Sequence, residues 1–187
     1  MNLAVLFPGL GYTCDKPLMY YSGKLAMSRG YELICVRYGN FPKKVLGDAE
    51  RLRESIESAQ AQAAEILKDV NFGDCEDILL IGKSIGTLVA CRYAKERGLE
   101  ARTILYTPLV QTFDYVGRHA IAFHGTADPW ADTAAICAAC GRLGVPLDLT
   151  VGANHSLETG HVDRDLQTLS RVMALTAAYM DAPCYDQ

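Results

Sequence analysis

One serine in this chain stands where a strand and a helix would meet, a position that can expose a nucleophile. Residues 82–86 read Gly-Lys-Ser-Ile-Gly, with Ser84 at the centre. The apolar run 78–81 has the length of a buried strand, and 85–97 has the pattern of a helix. Glycines on both sides of the serine would let that strand and helix approach closely through a tight, strained turn. The pattern predicts that the turn presents the Ser84 hydroxyl for attack on a carbonyl carbon.

Such an attack needs a base to take the hydroxyl proton and a third group to orient that base. Asp128 follows the apolar run 120–123, and His155 follows the run 147–151. Each candidate therefore stands just beyond the end of a different predicted strand. Because the carboxyl ends of parallel strands meet at one edge of a sheet, we expect the three side chains to come together there. They form a candidate Ser-Asp-His triad, with Asp132 as the alternative acid.

The elements that must position these residues alternate between strand and helix along the chain. Strands are predicted at 3–7, 32–36, 78–81, 102–106, 120–123 and 147–151, and helices at 17–28, 48–70, 85–97, 131–143 and 161–180. Glycines follow three of the predicted helix ends, at Gly30, Gly98 and Gly144, as left-handed caps would. The alternation predicts an α/β three-layer sandwich of about six mostly parallel strands. We expect one domain over 1–187, with 181–187 as a loose tail.

With these motifs the chain resembles the α/β-hydrolase superfamily over nearly its whole length. The matching segments are 7–11, 82–86, 124–128 and 152–155. It is most similar to the small lidless members described as serine esterase-like or dienelactone-hydrolase-like, although the dienelactone enzymes have a cysteine where this chain has Ser84. The resemblance implies a minimal α/β-hydrolase fold without a cap domain, since only the eleven residues 108–118 stand where members usually insert a lid.

The resemblance also assigns the groups that would bind the oxyanion formed during attack. These are the backbone N–H groups of Leu10 and Ile85, the latter directly after the nucleophile. Many members have His-Gly in the first of these loops, whereas this chain has Pro8 and Gly9. The donor lies one residue later, so the change does not remove it.

Other side chains near the candidate site have two interpretations each. Five apolar or aromatic residues fall on the loops at this end and could line a substrate pocket or simply pack the loops: Tyr12, Leu109, Phe113, Tyr115 and Trp130. Lys83 could attract an anionic substrate group, but a lone lysine usually points to solvent, and we expect that here. His124 closes a predicted strand and is expected to hold the loop of Asp128 by a hydrogen bond rather than to exchange protons.

Composition excludes several classes of partner. The formal net charge is −4 and the cations are scattered, so nucleic acid is not an expected partner. No apolar run reaches the roughly 18 residues of a membrane span, and the N-terminal residues lack the pattern of an export signal. We therefore expect a cytoplasmic location and no membrane partner. The oligomeric state is not predicted.

The seven cysteines include one Cys-x-x-C pair, Cys137 and Cys140. The pair falls deep in a predicted Ala-rich helix, not at a helix N-terminus where a thiolate would be stabilised. No second pair supplies further zinc ligands. We expect these thiols to be structural, and the candidate chemistry to need no metal and no cofactor.

The sequence thus predicts a serine hydrolase that cleaves small carboxylic esters or thioesters through an acyl-enzyme on Ser84. Three alternatives remain at this point. One is an acyltransferase that uses the same triad, and another is a non-catalytic binding module that keeps the fold. The third is thiol redox chemistry at Cys137 and Cys140.

Overall fold

The computed structural model describes residues 1–182, within which six parallel strands form one sheet. The strands are β1 (Asn2–Phe7), β2 (Tyr31–Cys35), β3 (Asp77–Lys83), β4 (Arg102–Tyr106), β5 (Ala120–Gly125) and β6 (Leu147–Thr150). Their order across the sheet is β2-β1-β3-β4-β5-β6, and every neighbouring pair is parallel. The chain starts inside the sheet, runs outward to β2 and crosses back to β3. The order therefore reverses beside β1 and β3, and such a reversal opens a crevice at the carboxyl ends of the strands.

Helices cover both faces of the sheet. They are α1 (Pro17–Met27), α2 (Ala49–Ile66), α3 (Ile85–Arg97), α4 (Thr133–Leu143) and α5 (Val162–Asp181). Residues of α2, α3 and α4 pack on one face, and residues of α1 and α5 pack on the other. The predicted three-layer α/β sandwich is confirmed. The segment between β4 and β5 forms a single 3-10 helix, Val110–Asp114, and contains no cap domain.

The central strand β3 shows how the layers are built. Ile78 and Leu80 face the core of α2 and α3, whereas Leu79 and Ile81 face the core of α1 and α5. Side chains alternate between the two faces of a strand. Position 83 therefore faces the α1 and α5 side, and the strand ends immediately before Ser84.

The predicted helices differ from the observed ones mainly at their ends. The second helix was predicted to reach residue 70 but ends at Ile66, because Leu67 leaves helical geometry with its side chain fully buried. The fourth begins at Thr133 instead of 131, because the Asp132 carboxylate accepts a hydrogen bond from the Ala135 amide and caps it. Within residues 1–182 no helix is long and apolar enough to cross a membrane.

The loose tail predicted over 181–187 is described only at its first two residues. Asp181 is the last residue of α5, and its carboxylate accepts hydrogen bonds of 2.6 and 2.7 Å from the Arg29 guanidinium. This end of the helix is therefore tied to the end of α1. Residues 183–187 lie outside the described residues.

Candidate active site

Ser84 occupies a strained turn between β3 and α3. Its φ is 57° and its ψ is −126°, a conformation that side-chain-bearing residues rarely adopt. A Cβ on Gly86 would lie 2.0 Å from the Phe7 carbonyl oxygen, and one on Gly82 would lie 2.5 Å from Thr87 Cα. Neither position has room for a side chain. The close approach of helix and strand inferred from the glycines is present.

The structure brings Ser84, His155 and Asp128 into one hydrogen-bonded chain. His155 Nε2 lies 2.7 Å from Ser84 Oγ, and His155 Nδ1 lies 2.7 Å from Asp128 Oδ2. Asp128 is buried, and its other oxygen accepts a 2.8 Å hydrogen bond from the Trp130 amide. With Nδ1–H donating to the carboxylate, Nε2 is left to accept the serine proton.

Two loops after β5 and β6 hold the acid and the histidine together. A Cβ on Gly125 would lie 2.3 Å from the Ala153 carbonyl oxygen, which also accepts a 2.9 Å hydrogen bond from the Ala127 amide. The Thr107 hydroxyl donates to the His155 carbonyl oxygen at 3.1 Å. These contacts come from residues at the ends of β4 and β5 and hold the backbone of residues 153–155. They thereby fix the position of the His155 imidazole.

The charge state of His155 suits a base. Burial lowers the pKa of its imidazole below the ordinary value, the hydrogen bond that it donates to Asp128 opposes that shift, and the positive charge of Lys83 adds to it. The ring is therefore neutral at pH 7 and can accept a proton. The carboxylate beside it would stabilise the imidazolium once formed.

The loop after β1 lies directly beside the nucleophile. Gly9 and Tyr12 close a turn through two backbone hydrogen bonds of 3.1 and 3.3 Å. A Cβ on Gly9 would lie 3.0 Å from Ser84 Cβ, so the turn touches the serine. Among the hydrogen bonds of residues 1–182, none uses the amide N–H of Leu10 or of Ile85.

The sequence predicted that Lys83 points to solvent, and this prediction is wrong. Its side chain is 1% exposed, and its Nζ lies 5.0 Å from the centroid of the Tyr12 ring. The reason is its position on β3, which directs it into the layer of α1 and α5, where Tyr12 covers it. Burial lowers the pKa of the Lys83 ammonium to about 7.

The two remaining polar residues of the acid loop have other partners. His124 is fully buried, and its Nε2 lies 3.0 Å from Thr133 Oγ1, so it is tied to the start of α4. Its Nδ1 lies 3.8 Å from Asp128 Oδ2, and burial lowers its pKa. The alternative acid, Asp132, accepts a hydrogen bond from the Ala135 amide and caps α4. It is therefore not the partner of His155.

The predicted pocket residues separate into two groups. Tyr12 and Trp130 are half-buried at the site, with the Trp130 ring stacked on His155. Leu109 is only 1% exposed and packs in the core together with Leu10, so it offers almost no surface to a substrate. Of its two interpretations, packing of the loops fits this burial better than contact with a substrate.

Two further aromatic residues also lie away from a substrate. Phe113 is 5% exposed and packs in the core beneath α4. The Tyr115 ring lies 5.3 Å from Lys95 Nζ, ten residues into α3 and so about 15 Å along that helix from the nucleophile. Neither residue is placed to line the site.

A pocket of about 340 Å³ opens beside the histidine loop. It is lined by Tyr12, by Pro17 and Leu18 of α1, by the loop 156–160 and by the first turns of α5. Its walls are mainly apolar, although Glu158 and Asp165 also line it. This pocket was not predicted from the sequence, although Val162 and Leu166, apolar residues near the start of the helix that follows His155, were a usable signal.

The cysteine pair lies where the sequence placed it, within α4. Cys137 is half-buried and Cys140 is buried, and burial raises the pKa of the Cys140 thiol to about 11. Among the described residues, no group of three or more His, Cys, Asp or Glu side chains could hold a metal ion.

Known proteins resemble this chain in structure but not detectably in sequence. No protein-family model matches the sequence, and neither does any curated protein. Solved structures do match. A lidless α/β serine hydrolase from Xanthomonas campestris aligns over 95% of this chain and 80% of its own, with a TM-score of 0.61 and 18% identity. An esterase from Pyrococcus furiosus aligns over 96% and 83%, with a TM-score of 0.64 and 16% identity.

A third structure extends this likeness. An α/β serine hydrolase homologue from Coxiella burnetii aligns over 95% of this chain and 84% of its own, with a TM-score of 0.62 and 15% identity. Identities this low establish a shared fold. They leave the chemistry to be argued from the residues of this chain.

Proposed function

We propose that this chain, which has the α/β-hydrolase fold, is a serine hydrolase that cleaves small carboxylic esters or thioesters. One observation carries the proposal. Asp128, His155 and Ser84 form a continuous hydrogen-bonded chain of 2.7 and 2.7 Å that ends on a serine held in a strained turn. A serine that only capped a helix would need neither the strain nor the buried carboxylate behind the histidine.

The first half of the reaction forms an acyl-enzyme. Ser84 Oγ attacks the carbonyl carbon while its proton passes to His155 Nε2, and Asp128 stabilises the imidazolium. The amides of Leu10 and Ile85 donate hydrogen bonds to the oxyanion of the tetrahedral intermediate. As the bond to the leaving group breaks, His155 returns the proton to the departing oxygen or sulfur.

The second half releases the acid. A water molecule gives a proton to His155 Nε2 as its oxygen attacks the acyl carbon. The bond to Ser84 Oγ then breaks, and the serine takes the proton back. Each step conserves charge and protons within the triad, the substrate and water.

The shape around the triad supports small substrates. The 3-10 helix between β4 and β5 is too short to cover a bound chain. The pocket of about 340 Å³ reaches Ser156, the residue after His155, although no triad residue lines it. It offers one apolar site, with the carboxylates of Glu158 and Asp165 among its lining groups. We therefore propose that one apolar substituent of the ester binds there, and that uncharged substituents are preferred to anionic ones.

Turnover and active-site labelling test the proposal together. Purified protein is assayed on p-nitrophenyl acetate and on a short acyl thioester, with Ser84→Ala as the control. A fluorophosphonate probe is added in parallel, and the labelled residue is located by mass spectrometry. We expect turnover and labelling at Ser84, both abolished in the alanine variant.

Other outcomes identify the alternatives. A product that joins the acyl group to an added alcohol or thiol in preference to water would indicate acyl transfer. A folded protein that neither labels nor turns over would contradict the proposal and favour a binding module.

A further inference from the structure

One buried amine, that of Lys83, has no role in the proposed mechanism. Lys83 is 1% exposed, and an ammonium group that leaves water is costly unless it is paired. Within residues 1–182 its Nζ makes no hydrogen bond or ion pair, and it lies 5.0 Å from the centroid of the Tyr12 ring. A methionine or leucine would fill the same space at lower cost, so the amine calls for a functional reason.

The contacts of Lys83 converge on the loop that carries the Leu10 amide. A Cβ on Gly9 would lie 3.1 Å from the Lys83 carbonyl oxygen and 3.5 Å from Lys83 Cγ, so Gly9 packs against both the backbone and the stem of the lysine. The Nζ lies 5.0 Å from the Tyr12 ring. Gly9 and Tyr12 are the two ends of one turn, closed by hydrogen bonds of 3.1 and 3.3 Å. One side chain therefore contacts both ends of this 9–12 turn.

The far side of Tyr12 is also held. Its hydroxyl accepts a 3.2 Å hydrogen bond from the Leu18 amide at the start of α1. Burial raises the pKa of this phenol to about 12, so the phenol stays neutral. Below the pKa of the Lys83 ammonium, about 7, its contact with Lys83 is therefore a cation–π contact.

We propose that Lys83 is a positioning residue that fixes the 9–12 turn, and with it the Leu10 amide, for binding the oxyanion next to Ser84. The inference rests on the proposed function, because it needs an oxyanion to be formed. Preorganised donors are effective only when they stay in place, and small displacements in an active site reduce rates strongly. The lysine acts through Tyr12 and Gly9 and need not touch the substrate.

The chain offers a matched pair of lysines for the test. Lys83→Met keeps a long side chain against Gly9 but removes the charge. Lys24 lies 5.5 Å from the Tyr20 ring on the exposed side of α1, so Lys24→Met removes a similar cation–π contact far from the triad. We expect Lys83→Met to lower kcat on p-nitrophenyl acetate by about tenfold or more with KM changed less than about twofold, and Lys24→Met to leave both unchanged.

Stability and pH separate positioning from ordinary packing. Because Lys83→Met removes a buried amine, its melting temperature should equal or exceed that of the parent although kcat falls. The ionisable groups around Lys83 are Tyr12, Asp128 and His155, with Glu158 near Tyr12 and His124 near Asp128. Loss of the lysine charge should raise the pKa of His155 and move the acid limb of kcat/KM to higher pH.

Variants of Tyr12 test the same contact from the other side. Tyr12→Leu removes the ring, whereas Tyr12→Phe keeps it and removes only the hydroxyl. We expect Tyr12→Leu to match Lys83→Met in kcat. Tyr12→Phe, which keeps the ring but loses the hydrogen bond from the Leu18 amide, should lose less than Tyr12→Leu. The double variant of Tyr12→Leu and Lys83→Met should be no slower than the slower single one. Additive losses would overturn the proposal, as would unchanged kcat in Lys83→Met. If Lys83→Met fails to fold, the kcat values of Tyr12→Leu and Tyr12→Phe test the proposal in its place.

Amide hydrogen exchange gives a readout without turnover. The amides of 10–12 should exchange faster in Lys83→Met and Tyr12→Leu than in the parent or in Lys24→Met. Equal exchange in all four proteins would overturn the inference. If the parent neither labels at Ser84 nor hydrolyses esters, the proposed function fails, and the exchange comparison still decides whether Lys83 holds the turn.

Discussion

The indole of Trp130 lies against the imidazole of His155, with ring centroids 5.3 Å apart and 26° between the planes. The backbone amide of the same tryptophan donates a 2.8 Å hydrogen bond to Asp128. One residue thus holds the acid by its backbone and the base by its side chain. The face of an aromatic ring also attracts a cation, so the contact should strengthen when His155 becomes an imidazolium.

Trp130→Ala should therefore lower kcat while leaving the Asp128 hydrogen bond in place. Aromatic stacking of this kind is worth about 0.5–1.5 kcal/mol, which corresponds to a loss of about two- to tenfold. Trp130→Phe keeps an aromatic face and should recover most of the rate. Steady-state kinetics on p-nitrophenyl acetate measure both. Equal rates in the alanine and phenylalanine variants would show that stacking has no catalytic role.

Asp128 and Asp132 provide a comparison of two neighbouring carboxylates. Asp128→Asn would leave the imidazole in the wrong tautomer and should reduce kcat on the order of 10⁴-fold. Asp132→Asn should keep full activity, because Asp132 caps α4 and asparagine is an equally good cap. Kinetics and thermal melts of both variants check this. A severe rate loss in Asp132→Asn with an active Asp128→Asn would reverse the assignment of the acid.

The pH dependence of kcat/KM should report the free imidazole of His155. Its pKa lies below the ordinary value of 6.5, mainly through burial, so the folded protein holds the neutral form down to lower pH than a free histidine would. The half-maximal point of the acid limb should therefore lie below pH 6.5. A rate profile on a non-ionisable ester measures this. A half-maximal rate well above pH 6.5 would show that another group controls the acid limb.

Lys83 should make the free energy of unfolding depend on alkaline pH. The pKa of its ammonium is about 7 in the folded protein, against 10.5 as the ordinary value. Between these values the unfolded chain binds a proton that the folded chain lacks, so stability should rise as pH increases from about 7 to about 10.5. Denaturant unfolding of the parent and of Lys83→Met across this range tests the effect. The variant should lose the Lys83 contribution, and identical slopes would show that the lysine is not buried in solution.

The pocket beside His155 should limit the length of the acyl or alcohol group. Each methylene buried there adds about 0.8 kcal/mol, or about fourfold in kcat/KM, until the group meets solvent. We expect kcat/KM to rise from acetate to butyrate and to be flat or falling beyond about six carbons, since no lid covers longer chains. Side-by-side assays of p-nitrophenyl acetate, butyrate, octanoate and palmitate measure it. An optimum at palmitate would contradict an open site.

The wall of the pocket can be probed with a matched pair of substitutions. Leu166 lines the pocket and is 60% exposed, whereas Val151 is 82% exposed and does not line it. Leu166→Arg should lower kcat/KM on butyrate and octanoate but not on acetate. Val151→Arg should change none of them. A loss on acetate as large as on octanoate would show that the pocket is not a specificity site.

The sequence by itself determined those features that depend on neighbours in the chain or on strand order. The glycines around Ser84 predicted the tight turn because their effect is local and steric, and the structure shows that no Cβ would fit at either position. The meeting of Asp128 and His155 with Ser84 could be predicted from their places after three strands, because parallel strands end at the same edge of a sheet.

Only the tertiary structure decided how side chains from distant segments pack around that core. Lys83 was expected in solvent, yet Tyr12, seventy-one positions earlier in the chain, covers it. For Leu109 the sequence allowed either a substrate contact or loop packing, and in the structure it packs in the core. The pocket between α1 and α5 and the stacking of Trp130 on His155 likewise depend on how loops and helices dock. Local pattern does not encode these contacts, because several placements of a loop satisfy the same hydrophobic periodicity and packing selects one.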